Sequence, residues 1–299
     1  MTGPAPGNPL RVAVIGAAGR MGKLLVEAIE REEDLRLAAR VDVRGGVEPG
    51  PAAAGEGSFP AGGAGSPSKE TVASSAAARA PAPASGGGGF ASSLFAFAGG
   101  GIDAAVEFTR GDAPARIGPE IEKLGCAWLC GTTALTDASR AALASAGEKV
   151  PVLWSPNLSL GVALLSRLVE EAARLLPAEW ELEIVETHHA AKLDAPSGTA
   201  VALGEIWTGL RGGEAVHGRS GFPGPRPPGQ IGLHAVRLPG GAGEHRLMIG
   251  APAELLELTH RAADRSVFAA GALVALRWLA AKPAGLYTLR DWVRDRLQC

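Results

Sequence analysis

The sequence predicts a doubly wound α/β domain joined to a second α+β domain built on a mixed sheet. Three observations lead there. Short apolar segments alternate with amphipathic helical segments through the first half, a glycine-rich turn follows the first apolar segment, and the second half changes to segments with in-out alternation at near-regular spacing.

The elements follow in order. Residues 11–15, RVAVI, form a run rich in β-branched residues and are expected to be a buried strand. The segment GAAGRMGKLLVEAIEREEDL then reads as a helix, with Leu24, Leu25, Ala28 and Ile29 on one stripe and Glu27, Glu30 and Arg31 opposite. Strands are expected at 35–43, 102–108, 127–130 and 150–154, with helices at 113–124 and 137–146. Such alternation implies right-handed βαβ units on a parallel sheet. Further on, 160–175 is a strong helix and WELEIVE (180–186) alternates like a strand of a one-sided sheet. IGLHAVRLPG, EHRLMIGAP and ELLELTHRAA read as further strands, antiparallel or mixed. The very apolar helix 266–282 is expected to return to the first domain or its border.

Composition excludes several classes. The 299 residues carry 29 Lys plus Arg against 31 Asp plus Glu, a net charge of −2, so no general field draws nucleic acid or acidic lipid. No apolar run reaches the roughly 18 residues of a membrane span. The N-terminus, MTGPAPGNPLR, lacks a basic region followed by an apolar one, so no secretory signal is expected. Three cysteines, Cys126, Cys130 and Cys299, are too few and too odd for a disulfide framework and fit a cytoplasmic protein. Cys126 and Cys130 flank Ala-Trp-Leu in an apolar stretch and read as buried small hydrophobes. Glycine (42) and proline (22) are high because small residues cluster: the 58 residues 44–101 hold 15 Gly, 15 Ala, 8 Ser and 6 Pro. Such a stretch has little apolar area to offset chain entropy, so 45–90 is expected to be mostly a mobile insertion. Within and beside it, 68–80 is a candidate short helix and 91–98 a candidate docking segment.

The first motif is Gly16-Ala17-Ala18-Gly19-Arg20-Met21-Gly22, between the first strand and its helix. Its glycines permit a sharp turn and close approach of a pyrophosphate, and the helix N-terminus offers free N–H groups. Asp42, 20 residues beyond Gly22, ends the second strand, where a carboxylate accepts from ribose hydroxyls. A Rossmann-type dinucleotide site follows. Asp42 favours NADH, while Arg20 and Arg44 could pair with a 2′-phosphate, so NADPH is expected to be tolerated. Phe108-Thr109-Arg110 and Gly131-Thr132-Thr133 end further strands on the same sheet edge and suit a ribose or nicotinamide amide.

The second motif is ETHHAAKLDAPSGTA, 186–200. Two histidines end a strand, and either His188 or His189 can exchange a proton near neutral pH. Lys192 is a cation suited to a carboxylate or a developing nitrogen anion. Ser197 is a candidate N-cap, and Gly198 and Thr199 would open the next helix as an anion seat for a carboxylate-bearing substrate. Zinc is disfavoured, because no third ligand has metal spacing and Lys192 would repel the ion. His217, His234, His245 and His260 read as structural.

In these residues the chain resembles the 4-hydroxy-tetrahydrodipicolinate reductases (dihydrodipicolinate reductases) of bacterial lysine biosynthesis. The resemblance runs through VAVIGAAGRMG (12–22), EFTR (107–110), GTT (131–133), SPNLSLGV (155–162), ETHHAAKLDAPSGTA (186–200), IGLHAVRLPGGAGEHRLM (231–248), ELLELTHRAADRSVFAAGAL (254–273) and GLYTLRDWV (285–293). It implies that Gly16 to Met21 hold the pyrophosphate and Asp42 the adenosine ribose. Gly131, Thr132 and Thr133 would line the nicotinamide side, and Ser155, Pro156, Asn157 and Leu158 would form a hinge beside it. His188 would donate the proton, Lys192 would be its electrophilic partner, and His189, Gly198 and Thr199 would bind substrate carboxylate. It also implies a dinucleotide domain 1–158 completed by 269–299, a substrate-binding domain 159–268, and a homotetramer assembled through the second sheets. The implied reaction removes water from a cyclic imine dicarboxylate, delivers hydride to ring C4 and protonates C3. The chain departs from the family pattern at Ala134 (often Gly), at Leu158 (often aromatic) and at Val43, where NADPH-using members carry Arg.

Three other readings compete: a related dehydrogenase with another substrate, a nucleotide-sensing regulator without catalysis, and an interaction platform using the insertion. A substrate panel, NADH binding without turnover, and deletion of 48–88 would respectively discriminate them.

Overall fold

The structure, a computed structural model, describes residues 8–42, 46–49 and 101–298. In chain order the first elements are β1 (Leu10–Ile15), α1 (Arg20–Ile29), β2 (Leu35–Asp42), β3 (Gly46–Pro49), β4 (Ala104–Glu107), α2 (Pro114–Leu124), β5 (Ala127–Cys130), α3 (Asp137–Gly147) and β6 (Pro151–Trp154). There follow α4 (Leu160–Leu175), β7 (Glu181–His189), α5 (Gly198–Arg211), β8 (Glu214–Val216), β9 (Gln230–Leu238), β10 (Gly243–Ala251), β11 (Glu254–Ala262), α6 (Ser266–Ala280), β12 (Gly285–Tyr287) and α7 (Leu289–Leu297).

One sheet runs β12-β6-β5-β4-β1-β2-β3. Its pairings are parallel except β2 with β3. β4 and β5 are buried at every residue, as strands covered on both faces must be. The pleat sorts β1 between two cores. Val12 and Val14 face α1, α6 and α7 through Leu25, Ile29, Leu273, Leu276 and Val293. Ala13 and Ile15 face α2 and α3 through Ile117, Ile121 and Leu143. Each such fully buried aliphatic side chain contributes about 1.5–3 kcal/mol against chain entropy. Arg277 fastens α6 to the turn after α1, donating from Nε to Asp34 at 2.7 Å and from a terminal nitrogen to Glu32 at 2.6 Å. Cys126 and Cys130 are buried free thiols, and burial pushes the Cys126 thiol up to about 12.

The other sheet runs β11-β10-β7-β9-β8, antiparallel on one side of β7 and parallel on the other. β7 alternates strictly between half-buried and buried residues. Leu182 and Ile184 pack with Leu165 and Val169 of α4 and Leu203 and Trp207 of α5. Glu186 and His188 continue that same buried face by period-two alternation.

Several boundaries move from expectation. β7 ends on the two histidines, as the motif predicts, and so extends beyond WELEIVE, because β9 pairs with it as far as His189. The strand expected at 102–108 is confined to Ala104–Glu107. β3, β8 and β12 are three- or four-residue strands, too short for a period to show. β3 lies inside the stretch read as mostly mobile, and it pairs antiparallel with β2. The helix expected at 68–80 and the docking segment at 91–98 lie outside the described residues, as does most of 45–90.

Candidate active site

The sheet order reverses about β1, whose neighbours are β2 and β4, so the loops after β1 and β4 bound a crevice at the carboxyl ends of the strands. Gly16 turns there with φ +85°, and a Cβ on it would lie 2.4 Å from the Phe108 carbonyl oxygen. A Cβ on Gly22 would lie 2.1 Å from the Gly16 carbonyl oxygen. The turn therefore tolerates neither side chain. Gly16 and Ala17 donate their N–H groups to the Val41 carbonyl at 2.8 and 3.2 Å, and Ala18 donates to Asp42 Oδ2 at 3.2 Å. Asp42 thus ties the end of β2 to the glycine loop. Gly19 is the N-cap of α1 and no side chain caps the helix, so its first-turn N–H groups are available to an anion.

Gly19, Arg20 and Met21 form one end of a cleft of about 1080 Å³. Gly131, Thr132 and Thr133 after β5, with Ser155, Pro156, Asn157 and Leu158 after β6, form its wall. His188, His189, Lys192, Gly198 and Thr199 close it from the second sheet. Both sequence motifs therefore open onto one cavity. Gly16, Ala17, Ala18 and Asp42 are not among the residues that line the cleft.

At the second-sheet end, Glu186 is fully buried two residues before His188. Its Oε2 lies 2.5 Å from His188 Nδ1, and its Oε1 accepts from the Ser197 N–H at 3.0 Å. Register pairs His188 with Arg237 across β9, and the Arg237 guanidinium donates to both Glu186 oxygens at 2.8 and 2.9 Å. Burial opposes ionisation of Glu186, but Arg237, His188 and the Ser197 N–H outweigh it and hold the carboxyl below the usual range. With Nδ1 engaged, Nε2 is the ring atom left to exchange a proton. It sits over Gly243, where a Cβ would approach to 2.7 Å.

Ser197 caps α5, accepting from the Ala200 N–H at 3.2 Å as expected of that residue. Its hydroxyl also meets His245 Nε2 at 3.0 Å. Burial first, and His188 second, push the His245 imidazole down to about 4, so it is neutral. The Thr199 hydroxyl accepts from Asn157 Nδ2 at 3.1 Å, joining hinge and seat. Lys192 pairs with Asp194 at 2.8 Å, inside its own turn.

The N-terminal model of dihydrodipicolinate reductase matches residues 10–158 and the C-terminal model matches 161–293. The chain belongs to the dihydrodipicolinate reductase family. A 4-hydroxy-tetrahydrodipicolinate reductase of Halorhodospira halophila is 35% identical over 95% of this chain and 98% of the relative. One from an Anaeromyxobacter species is 38% identical over 94% and 97%. A dipicolinate-bound dihydrodipicolinate reductase from a Paenisporosarcina species has the same fold, with TM-score 0.68, 22% identity and coverage of 95% of this chain and 99% of that one.

As a dihydrodipicolinate reductase family member, the chain has a cradle that fits a nicotinamide dinucleotide: two glycines that no Cβ could replace and an uncapped helix start. Ala134, where the family often has Gly, stands at φ +51°. Leu158 is buried against the first core and also borders the cleft. Val43 and Arg44 lie outside the described residues, and Arg20 lines the cleft.

The supports of this site lie far apart in the sequence. Glu186 was visible two residues before His188, but Arg237 and His245 come within reach only through strand register. Arg265, just before α6, reaches the cleft from far along the chain. His245 and His260 each engage the hydroxyl of a helix-capping serine, Ser197 and Ser159.

Proposed function

We infer that this chain reduces 4-hydroxy-tetrahydrodipicolinate to tetrahydrodipicolinate with loss of water, using NAD(P)H, in diaminopimelate and lysine biosynthesis. Family membership across nearly the whole chain carries the reading, and the convergence of the glycine loop and the histidine motif on one cleft supports it. The substrate is a small dicarboxylate. When bound, NAD(P)H supplies the hydride.

The residues divide the remaining work. The loop Gly16, Ala17, Ala18, Gly19, Arg20 and Met21 holds the pyrophosphate: the first four residues shape the turn through their own backbone bonds, and the uncapped start of α1 at Arg20 and Met21 offers its N–H groups, while Asp42 accepts from the adenosine ribose. Gly131, Thr132, Thr133, Ser155, Pro156, Asn157 and Leu158 orient the nicotinamide end. His189 and the N–H groups of Gly198 and Thr199 seat a substrate carboxylate, with the start of α5 adding its dipole. Lys192 stabilises negative charge as it develops at the imine nitrogen. His188 gives a proton to ring C3 from Nε2, and Glu186 orients the ring through Nδ1. Asp42 supports a preference for NADH, and Arg20 supports tolerance of NADPH.

The working protein is organised as a dinucleotide domain of 1–158 completed by 269–299, and a substrate domain of 159–268. The edge strand β11 exposes Leu255 and Leu256, which supports assembly of a homotetramer through the second sheets. Among the described residues no helix is long and apolar enough to cross a membrane, and the cytoplasm is the proposed compartment.

The test follows absorbance of NADH, then NADPH, on addition of freshly made hydroxy-tetrahydrodipicolinate. Oxidation that depends on the dicarboxylate is expected, faster at low concentration with NADH. No oxidation with either nucleotide would overturn the reading.

A further inference from the structure

Glu107 ends β4 and is fully buried. Its partners are hydroxyls rather than a cation. Oε1 accepts from the Thr109 hydroxyl and from the Thr132 hydroxyl at 2.7 Å, while Thr132 Oγ1 accepts from the Thr109 N–H at 2.8 Å. The three groups form a closed ring that joins the end of β4 to the loop after β5. Oε2 is buried without a hydrogen-bond partner, and Cys130, the register partner of Glu107 on β5, adjoins the carboxyl. An ionised carboxylate buried without a cation costs several kcal/mol. Burial accordingly pushes this carboxyl above the usual range, against the hydrogen bonds that favour its ionised form.

The ring's upper side is the cleft. Thr109 and Thr132 both line it, between the glycine loop and the hinge. Trp154 Nε1 donates to the Thr132 carbonyl at 3.1 Å, fixing the same loop from the next strand. The Phe108 ring lies over Gly131, where a Cβ would come within 2.5 Å of it.

We propose that Glu107 is a positioning residue for the cofactor, gathering the Thr109 and Thr132 hydroxyls from beneath and so fixing the wall that receives the nicotinamide end of NAD(P)H. This rests on the functional reading above. A preformed wall strengthens binding because the ordering is done before the ligand arrives.

The test is a fluorescence titration of the full chain with NADH alone, alongside kcat, both KM values and the unfolding temperature. Glu107→Gln keeps the acceptor oxygen that gathers the two hydroxyls, and is expected to bind NADH within about threefold of wild type. Glu107→Leu and Thr109→Val break the ring and are expected to weaken NADH binding about tenfold, the loss of one or two hydrogen bonds. The KM for the dicarboxylate should stay within about threefold in both. Unchanged NADH binding in Glu107→Leu and Thr109→Val would overturn the proposal, as would Glu107→Gln binding as weakly as Glu107→Leu. If Glu107→Leu does not fold, Thr109→Val decides in the same way. A wild-type chain that binds no NADH would instead overturn the functional reading and this proposal with it.

Discussion

The Asn157 side-chain amide donates to the Thr199 hydroxyl at 3.1 Å. The same side chain accepts the Ser159 N–H at 2.9 Å through Oδ1. One residue after β6 therefore holds the start of α5 against the start of α4. Asn157→Ala removes both bonds and frees the carboxylate seat to drift from the cofactor wall. The expected result is a KM for the dicarboxylate raised about tenfold, since each bond is worth about 1 kcal/mol. Steady-state kinetics at saturating NADH measures it, and an unchanged KM would show that the seat does not depend on the hinge.

His188 and Glu186 make the second prediction. His188→Gln should lower kcat by about 10²–10³, the usual contribution of a positioned acid. Turnover within threefold of wild type would remove His188 from proton delivery. Glu186→Gln should cost less, about tenfold, because the ring keeps an oxygen partner at Nδ1 but loses the stronger carboxylate bond that orients it. NADH binding should be unaffected in both variants, which separates this end of the cleft from the ring around Glu107.

These supports show what the sequence could and could not reveal. The glycine loop, the Ser197 cap and the histidine–lysine string were legible because each is local: a few consecutive residues carry the whole geometry. The parallel sheet was legible from apolar runs that alternate with helices. Arg237 and His245 were not, because each reaches Glu186 or its neighbours across a sheet whose register depends on pairing over some fifty residues. Glu107 was visible only as a letter in EFTR, since its burial depends on β5 packing beside β4. The short strands β3, β8 and β12 carry too few residues for periodicity.

Ala134 offers a test of backbone strain. It adopts φ +51°, and the turn cannot easily relax, because a Cβ on Gly111 would already lie 1.9 Å from the Ala134 carbonyl oxygen. A left-handed conformation costs an L-residue roughly 1–2 kcal/mol, while glycine loses roughly 0.5–1 kcal/mol through unfolded-state entropy. Ala134→Gly should therefore stabilise the chain by about 0.5–1 kcal/mol and raise Tm by about 2 °C. Calorimetry checks it, and a lowered Tm would refute the strain argument.

His245 sets the last prediction, a dependence of stability on pH. Its imidazole faces Ser197, His188, Glu186, His260 and Lys192, and burial is the largest influence on it. The folded value falls from 6.5 to about 4, so the unfolded chain binds the proton more readily. Stability from this group is complete above 6.5 and is lost as pH falls toward 4. His260, also lowered by burial, acts in the same direction, so wild type alone does not isolate His245. Glu186 has a depressed value too, but its loss begins only below the ordinary carboxylate value of 4.5. The informative quantity is the difference in Tm between wild type and His245→Gln across pH 7 to 4.5. At pH 7 the variant should be less stable, having lost the fit against Ser197. On acidification that deficit should shrink, because only wild type must keep a neutral imidazole buried against rising proton activity. A deficit that stays constant or widens would mean that His245 takes up its proton without cost in the fold.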